Sequence, residues 1–384
     1  MKLTITKNRY LKDNIKENIK DKMIFIGGPR QVGKTTFALS YVGIEKGDLH
    51  PAYLNWDIKS HRDMIIKEEF PKFENLMIFD EIHKYSRWRR LMKGFYDEYY
   101  PKKNVIVTGS ARLDYYKKGG DSLLGRYRYY RLHPYSLSEI SKNPSNSDLE
   151  ALLKFGGFPE PLSKSSENSW RLWQRERISR VIEDDLRDLE RVNEISLLEV
   201  LMQALPDRVG SCLSLQSLRE DLEVSHDSIG RWLCIFDNLY LTFRISPFGS
   251  PKIKAVKKEQ KLYFWDWTQV PDEGIRFENM VAAQLLKYCH FIEDTSGYNM
   301  ELRYIRDIEK REIDFVVLKE GKPLFAVECK LKFSNVSNVF KYFRLRAEIP
   351  KYFIVHLGEK DFGDEDINVR VIPFIKFVKL LDMP

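Results

Sequence analysis

The chain has 384 residues, enough for two or three domains at roughly 150 residues each, and with 43% of them hydrophobic disorder is not the default state. A formal charge of +7 permits a polyanionic partner without demanding one. Cys212, Cys234, Cys289 and Cys329 have no CxxC spacing, the first residues are charged, and no apolar run approaches a membrane span, which together exclude a zinc module, a secreted disulfide framework and membrane insertion and point to a reducing cytoplasm.

In chain order, a short polar helix leads into Met23-Ile24-Phe25-Ile26, an apolar run that ends in Gly27-Gly28-Pro29 and reads as a buried strand before a tight loop. Gly28-Pro29-Arg30-Gln31-Val32-Gly33-Lys34-Thr35 then matches GxxxxGK[ST] between that strand and the helix-like Thr36-Phe37-Ala38-Leu39. This spacing suits a phosphate cradle. Glycines let backbone N–H groups close on phosphate oxygens, Lys34 neutralises the terminal phosphates and Thr35 ligates Mg2+. The loop residues through Thr36 are the expected nucleotide contacts.

Apolar runs follow at Ala52-Tyr53-Leu54-Asn55, Leu76-Met77-Ile78-Phe79-Asp80 and Val105-Ile106-Val107-Thr108-Gly109, with helix-like stretches between them. Such alternation implies a mostly parallel sheet covered on both faces. The second run ends in Asp80-Glu81, where Asp80 is expected to hold Mg2+ and Glu81 to polarise the attacking water. Thr108 or Ser110 after the third run is expected to sense the γ-phosphate, and Arg126 is a candidate for stabilising the transferring phosphoryl group.

The alternation stops near Pro134, and residues 149–205 read as helices broken at Gly156-Gly157-Phe158-Pro159. Leu215–Leu222, a turn, Ser225 as N-cap, a helix from about His226 to Asn238 and the strand-like Tyr240–Ile245 suggest a winged helix. His226, Asp227, Ser228, Arg231 and Trp232 lie at the helix start, where a recognition helix would meet a DNA groove, although Asp227 suits phosphate poorly and Trp232 and Phe236 have core spacing; the five lysines between Lys252 and Lys261 can contact phosphates or form a solvated loop. Beyond residue 262 strands and helices alternate again. Glu312–Leu318 and Pro323–Lys330 read as a hairpin about Gly321, which sets Asp314 opposite Glu328 and puts Glu328 and Lys330 on one face. With Glu278 from an upstream helix, the three carboxylates are candidate Mg2+ ligands, and Lys330 a group that positions water or stabilises developing charge.

GPRQVGKTT, LMIFDEIHKYSRW, VTGSARL, SLLGRYRYYRLHPYSLSE and GGFPEP resemble the prokaryotic AAA+ superfamily ATPases of the predicted-ATPase group, over nearly the whole chain. The resemblance implies a P-loop core with Lys34, Thr35, Asp80 and Glu81 in their usual roles. The third-strand sensor of many AAA+ proteins is Asn, where this chain has Thr108 and Ser110. Asp314 followed by Glu328-Cys329-Lys330, preceded by Glu278, resembles the PD-(D/E)XK nuclease superfamily over residues 275–332. The expected fold is a multidomain α/β protein: an AAA+ parallel-sheet core (1–148), a helical subdomain (149–205), a winged-helix-like segment (206–261) and a restriction-endonuclease-like α/β domain (262–384).

Two function classes stay open. One is an ATPase that couples hydrolysis to DNA handling, with a metal-dependent nuclease centre in its C-terminal domain. The other is an ATP-dependent switch whose nuclease-like domain only binds nucleic acid or a protein partner. ATP and Mg2+ are the expected cofactors in both.

Overall fold

Met23–Gly27 (β1) is buried at every position, as its unbroken apolar sequence requires of a strand covered on both faces. In the computed structural model the described residues are 9–43, 50–109, 123–181, 195–249, 259–307, 309–333, 338–364 and 368–384. They fall into two compact units, one running through Pro134 with Asn238–Tyr240, the other comprising Tyr135–Asp237 and Leu241–Pro384.

The N-terminal unit contains α1 (Lys12–Asn18), β1, α2 (Lys34–Leu39), β2 (Tyr53–Asn55), α3 (Lys59–Lys67), β3 (Leu76–Asp80), α4 (Trp88–Tyr99), β4 (Asn104–Thr108) and β5 (Tyr127–Arg131). The strands form a parallel sheet in the order β2-β3-β4-β1-β5. Asp80 pairs in register with Thr108, so both lie at the carboxyl edge where the loop after β1 also emerges. Crevices for ligands form at this edge of open parallel sheets. Beneath it, Phe25, Met77, Phe79, Met92 and Phe95 form the core against α4. Sequence patterning gave no strand at Tyr127–Arg131, because Tyr-Arg-Tyr-Tyr-Arg buries only Tyr130 of its five residues.

The C-terminal unit begins with α5 (Leu137–Ile140), α6 (Asn146–Phe155), α7 (Pro159–Lys164), α8 (Glu167–Arg180) and α9 (Ile195–Ala204). Ser145 and Asp148 form a capping box at the start of α6, and Pro159 takes the first position of α7, where its missing N–H costs nothing. Next come α10 (Leu215–Leu222), α11 (His226–Asn238), β6 (Thr242–Pro247), β7 (Lys261–Phe264) and α12 (Glu273–Ser296). The rest is β8 (Met300–Arg306), β9 (Glu312–Lys319), β10 (Lys322–Lys330), α13 (Asn338–Ala347), β11 (Tyr352–His356), β12 (Phe362–Asp364), β13 (Val369–Pro373) and α14 (Phe374–Leu380). Among the described residues its eight strands form one mixed sheet, β12-β13-β11-β10-β9-β8-β6-β7.

The β9–β10 hairpin turns through Glu320 and Gly321, both at positive φ, as a two-residue hairpin turn prefers. Pairing starts as Lys322↔Lys319, shifts at a bulge between Pro323 and Phe325, and continues as Val327↔Phe315. The bulge makes Asp314 and Glu328 the next facing pair. Among the described residues, no helix is long and apolar enough to cross a membrane.

Candidate functional site

The loop after β1 is shaped by backbone that side chains cannot copy. Gly28 has φ 136°, and a Cβ there would lie 2.3 Å from the Leu132 carbonyl oxygen; Gly33 has φ 97°. Val32 is buried and anchors the loop, whereas Thr36 is exposed. Lys34 is buried, and its ammonium donates to the carbonyls of Gly28 (2.9 Å) and Pro29 (2.8 Å), so it is already held over the loop that phosphate would fill. The Thr35 hydroxyl donates to Asp80 Oδ2 at 2.8 Å, the neighbouring geometry that a shared Mg2+ needs.

Asp80 receives two further hydroxyls. Tyr53 donates to Oδ2 (2.8 Å) and is itself fixed by Asn55 Nδ2 (3.0 Å), while Thr108 donates to Oδ1. The Thr108 hydroxyl is thus directed at Asp80, the residue beside it in the sheet. Glu81 is left-handed at φ 54°, with Oε2 3.5 Å from His83 Nε2 and 3.8 Å from Lys84 Nζ. Burial, and then the Asp80 carboxylate, push Glu81 up to about 7 against the opposing pull of Lys34 and Lys84. A carboxylate tuned near neutrality is suited to accept a proton from water. The donor set, loop shape and paired hydroxyl and carboxylate fit MgATP: the loop amides and Lys34 would hold phosphate, and Thr35 and Asp80 the ion.

A second constellation lies in the C-terminal unit. Glu278 of α12, Asp314 of β9, and Glu328 and Lys330 of β10 converge, with Lys330 donating to Glu328 (2.7 Å) and the Cys329 N–H to Asp314 Oδ2 (2.8 Å). Lys261 stands on the Glu278–Asp314 side of this group. Its side chain is 1% exposed, and its ammonium is paired with Glu312 and lies 3.7 Å from Glu278 Oε1 and 3.9 Å from Asp314 Oδ1. Tyr263 donates to Glu278 Oε1 at 2.8 Å. Burial and Asp314 push Glu278 up to about 8, and burial and Asp314 push Glu328 up to about 7. Lys261 is held charged by Glu278, Asp314 and Glu312 against its burial. Among the described residues no group of three or more His, Cys, Asp or Glu is spaced to hold a metal ion. An ammonium already stands between Glu278 and Asp314, so that one position does not suit a divalent cation. Lys261 also corrects the reading of residues 252–261 as a phosphate-contacting or solvated run: it is a buried residue of β7, and Lys252, Lys254, Lys257 and Lys258 lie outside the described residues.

Residues 20–141 match the family described as AAA domain. The N-terminal unit is a parallel α/β sheet with a P-loop and is similar over these residues to an AAA domain. Residues 146–268 and 273–377 match two domains of unknown function, DUF8612 and DUF4143. Uncharacterized protein MJ1544 of Methanocaldococcus jannaschii is 24% identical, with 94% of this chain and 88% of that protein covered. Uncharacterized protein MJ1637 of the same organism is 20% identical, with 96% and 87% covered. Among solved structures, the Holliday junction branch migration motor RuvB of Thermotoga maritima superposes with a TM-score of 0.31 at 14% identity, covering 61% of this chain and 87% of that one. The Orc1 protein of Aeropyrum pernix, in complex with DNA, gives 0.33 at 12% identity, covering 72% and 94%.

Not every expected residue reaches the AAA core's phosphate loop. Arg126 precedes β5, and its carbonyl accepts from the N–H of Met23 at the start of β1, so about 13 Å of strand separates it from the loop. Its Nε lies 3.0 Å from Asp97 and its guanidinium 6.0 Å from the Tyr96 ring. This corrects the expectation that Arg126 contacts phosphate in its own chain: a parallel strand that follows β1 in register starts at the wrong edge. Ser110 lies outside the described residues. In α11, Trp232 and Phe236 are buried while His226, Asp227 and Arg231 are exposed.

The sequence reading missed Arg9, Tyr53, Glu312 and the role of Lys261. Buried Arg9 donates to the carbonyls of Val32 in the loop (3.0 Å) and of His133. Arg9→Met leaves those carbonyls without this donor, at about 1–3 kcal/mol for each buried acceptor left unsatisfied. The expected result is ATP affinity weakened about tenfold together with a lower melting temperature. Unchanged affinity in a nucleotide titration would show that the loop holds its shape without Arg9.

Proposed function

We propose that this chain is an ATPase that couples nucleotide hydrolysis to the handling of DNA. The observation that carries the reading is the chain of contacts Lys34–loop carbonyls and Thr35–Asp80–Thr108 at one sheet edge, with Glu81 beside it. Lys34 moves from its loop carbonyls to the phosphates, Thr35 and Asp80 orient each other, and Glu81 takes a proton from the attacking water. Mg2+, when bound, neutralises charge on the phosphates. Exposed His226, Asp227 and Arg231 at the start of α11, followed by the β6–β7 ribbon, support contact with a DNA groove. The four segments 1–148, 149–205, 206–261 and 262–384 are proposed as core, helical appendage, winged-helix-like connector and nuclease-like domain.

The convergence of Glu278, Asp314, Glu328 and Lys330 supports a phosphodiester-cleaving centre. Lys261 between Glu278 and Asp314 favours the second reading, an ATP-dependent switch that holds DNA or a protein partner without cutting. ATP turnover and fluorescent DNA cleavage, with Mg2+ or Mn2+ and with or without ATP, separate them. Lys34→Ala is expected to lose ATP binding and turnover; wild-type turnover in that variant would remove the ATPase assignment. Metal-dependent product that disappears in Asp314→Ala would establish the nuclease. Salt-sensitive DNA association without product would establish the switch.

A further inference from the structure

Lys261 is not a surface lysine that happens to fall near acids. Its main chain pairs with Ile245 of β6 and bridges to Cys212, so the sheet fixes the point from which its side chain starts. The side chain is buried, and its ammonium stands 5.4 Å from the centroid of the Tyr304 ring. Three carboxylates from two elements surround it: Glu278 from α12, and Glu312 and Asp314, two residues apart on the same face of β9. Other internal contacts reach the same carboxylates: Tyr263 serves Glu278, the Cys329 N–H serves Asp314, Arg306 lies 3.4 Å from Glu312, and Lys330 holds Glu328 Oε1, while Glu328 Oε2 is buried without a hydrogen-bond partner among the described residues.

We infer that the Lys261 ammonium is the resident cation of this carboxylate centre and that it excludes a divalent metal from the position between Glu278 and Asp314. A hard divalent cation needs several carboxylate oxygens to itself. Here two of the best-placed oxygens lie within 3.9 Å of a positive charge that burial prevents from swinging into solvent. An incoming cation would meet that charge in a region of low dielectric, where like charges repel most strongly. Whatever the C-terminal unit binds, it binds without Mg2+ or Mn2+ between Glu278 and Asp314. This goes beyond the ATPase reading and does not depend on it.

The test is Mn2+ binding to the full-length chain without nucleotide, followed by the loss of the free-ion electron paramagnetic resonance signal. Asp80→Asn is present throughout, which removes the ion ligand of the phosphate loop. With Lys261 intact, no site lost on adding Asp314→Asn is expected. Lys261→Met should gain a Mn2+ site at least tenfold tighter, Lys261→Arg should not, and Asp314→Asn should abolish the gained site. The inference is overturned if the Lys261-intact protein binds Mn2+ and loses it with Asp314→Asn, a comparison that needs no Lys261 variant to fold. It is equally overturned if Lys261→Met, folded by circular dichroism, gains no site. A chain that hydrolyses no ATP or binds no DNA would sink the proposed function and leave this titration's outcome unchanged.

Discussion

Glu81→Gln should lower ATP turnover by roughly a hundredfold to ten-thousandfold, the range for removing a general base, while ATP binding stays close to wild type. The carboxylate is not needed to hold phosphate, because Lys34 and the loop supply that, and Gln keeps the shape. Its loss removes only the group that takes the proton. Loss of binding and turnover together would instead make Glu81 part of the loop's architecture. The same residue carries a pH signature. Glu81 sits at about 7, above the ordinary 4.5 of a glutamate, because burial and Asp80 oppose its charge. Its folded value is raised, so its contribution to stability is full below about 4.5 and is lost as pH climbs through about 7. At pH 8 the wild type keeps an ionised, strained carboxylate that Gln lacks. The inactive variant is therefore expected to be more stable there by about 1–2 kcal/mol, with the gain vanishing near pH 5. Thermal unfolding of both proteins at the two pH values checks this, and an equal gain at both would detach the effect from ionisation.

What the sequence made legible follows the range over which each residue acts. Gly28, Gly33, Lys34 and Thr35 act through one loop, and a local spacing specifies that loop. Asp80 was readable because a buried strand that ends in an acid announces both its burial and its edge. Asp314 and Glu328 were readable from symmetry about Gly321, although the agreement depends on a bulge: the turn itself pairs Lys319 with Lys322, and only the extra residue near Leu324 restores the expected facing pair. Arg9, Tyr53 and Lys261 act on partners 23 to 124, 27 and 17 to 53 residues away, so nothing in their neighbours reveals them. Arg126 failed for a related reason. Its suitability rested on charge, while its place rested on the direction of β5, a strand with one buried residue whose pattern did not mark it as part of the sheet.

The Gly156-Gly157-Phe158-Pro159 segment breaks the run of helices, and its environment gives it a structural task. Gly156 has φ 77°, and a Cβ there would lie 3.0 Å from Thr268 Cγ2 and 3.2 Å from Asp266 Oδ1. Phe158 carries the Arg177 guanidinium 4.3 Å from its ring centroid, and Trp173 flanks the same group at 5.6 Å. Arg177 and Asp266 are both buried, with Nη1 3.9 Å from Oδ2, and Asp266 Oδ1 accepts from the Thr268 hydroxyl at 2.6 Å. A guanidinium does not discharge inside a protein, so among the described residues its stability here rests on the Asp266 carboxylate and two aromatic faces. Asp266→Ala should thus cost about 3–5 kcal/mol, the loss found when one member of a buried pair is removed and the other is left charged. Replacing both, as Arg177→Met with Asp266→Leu, should recover most of that loss, because no uncompensated charge remains. Melting temperatures of the single and double variants decide the matter. A single variant as stable as wild type would mean that Arg177 finds water or another acceptor, and a double variant no better than the single would mean that the ion pair itself, rather than its broken half, holds the GGFP segment in place.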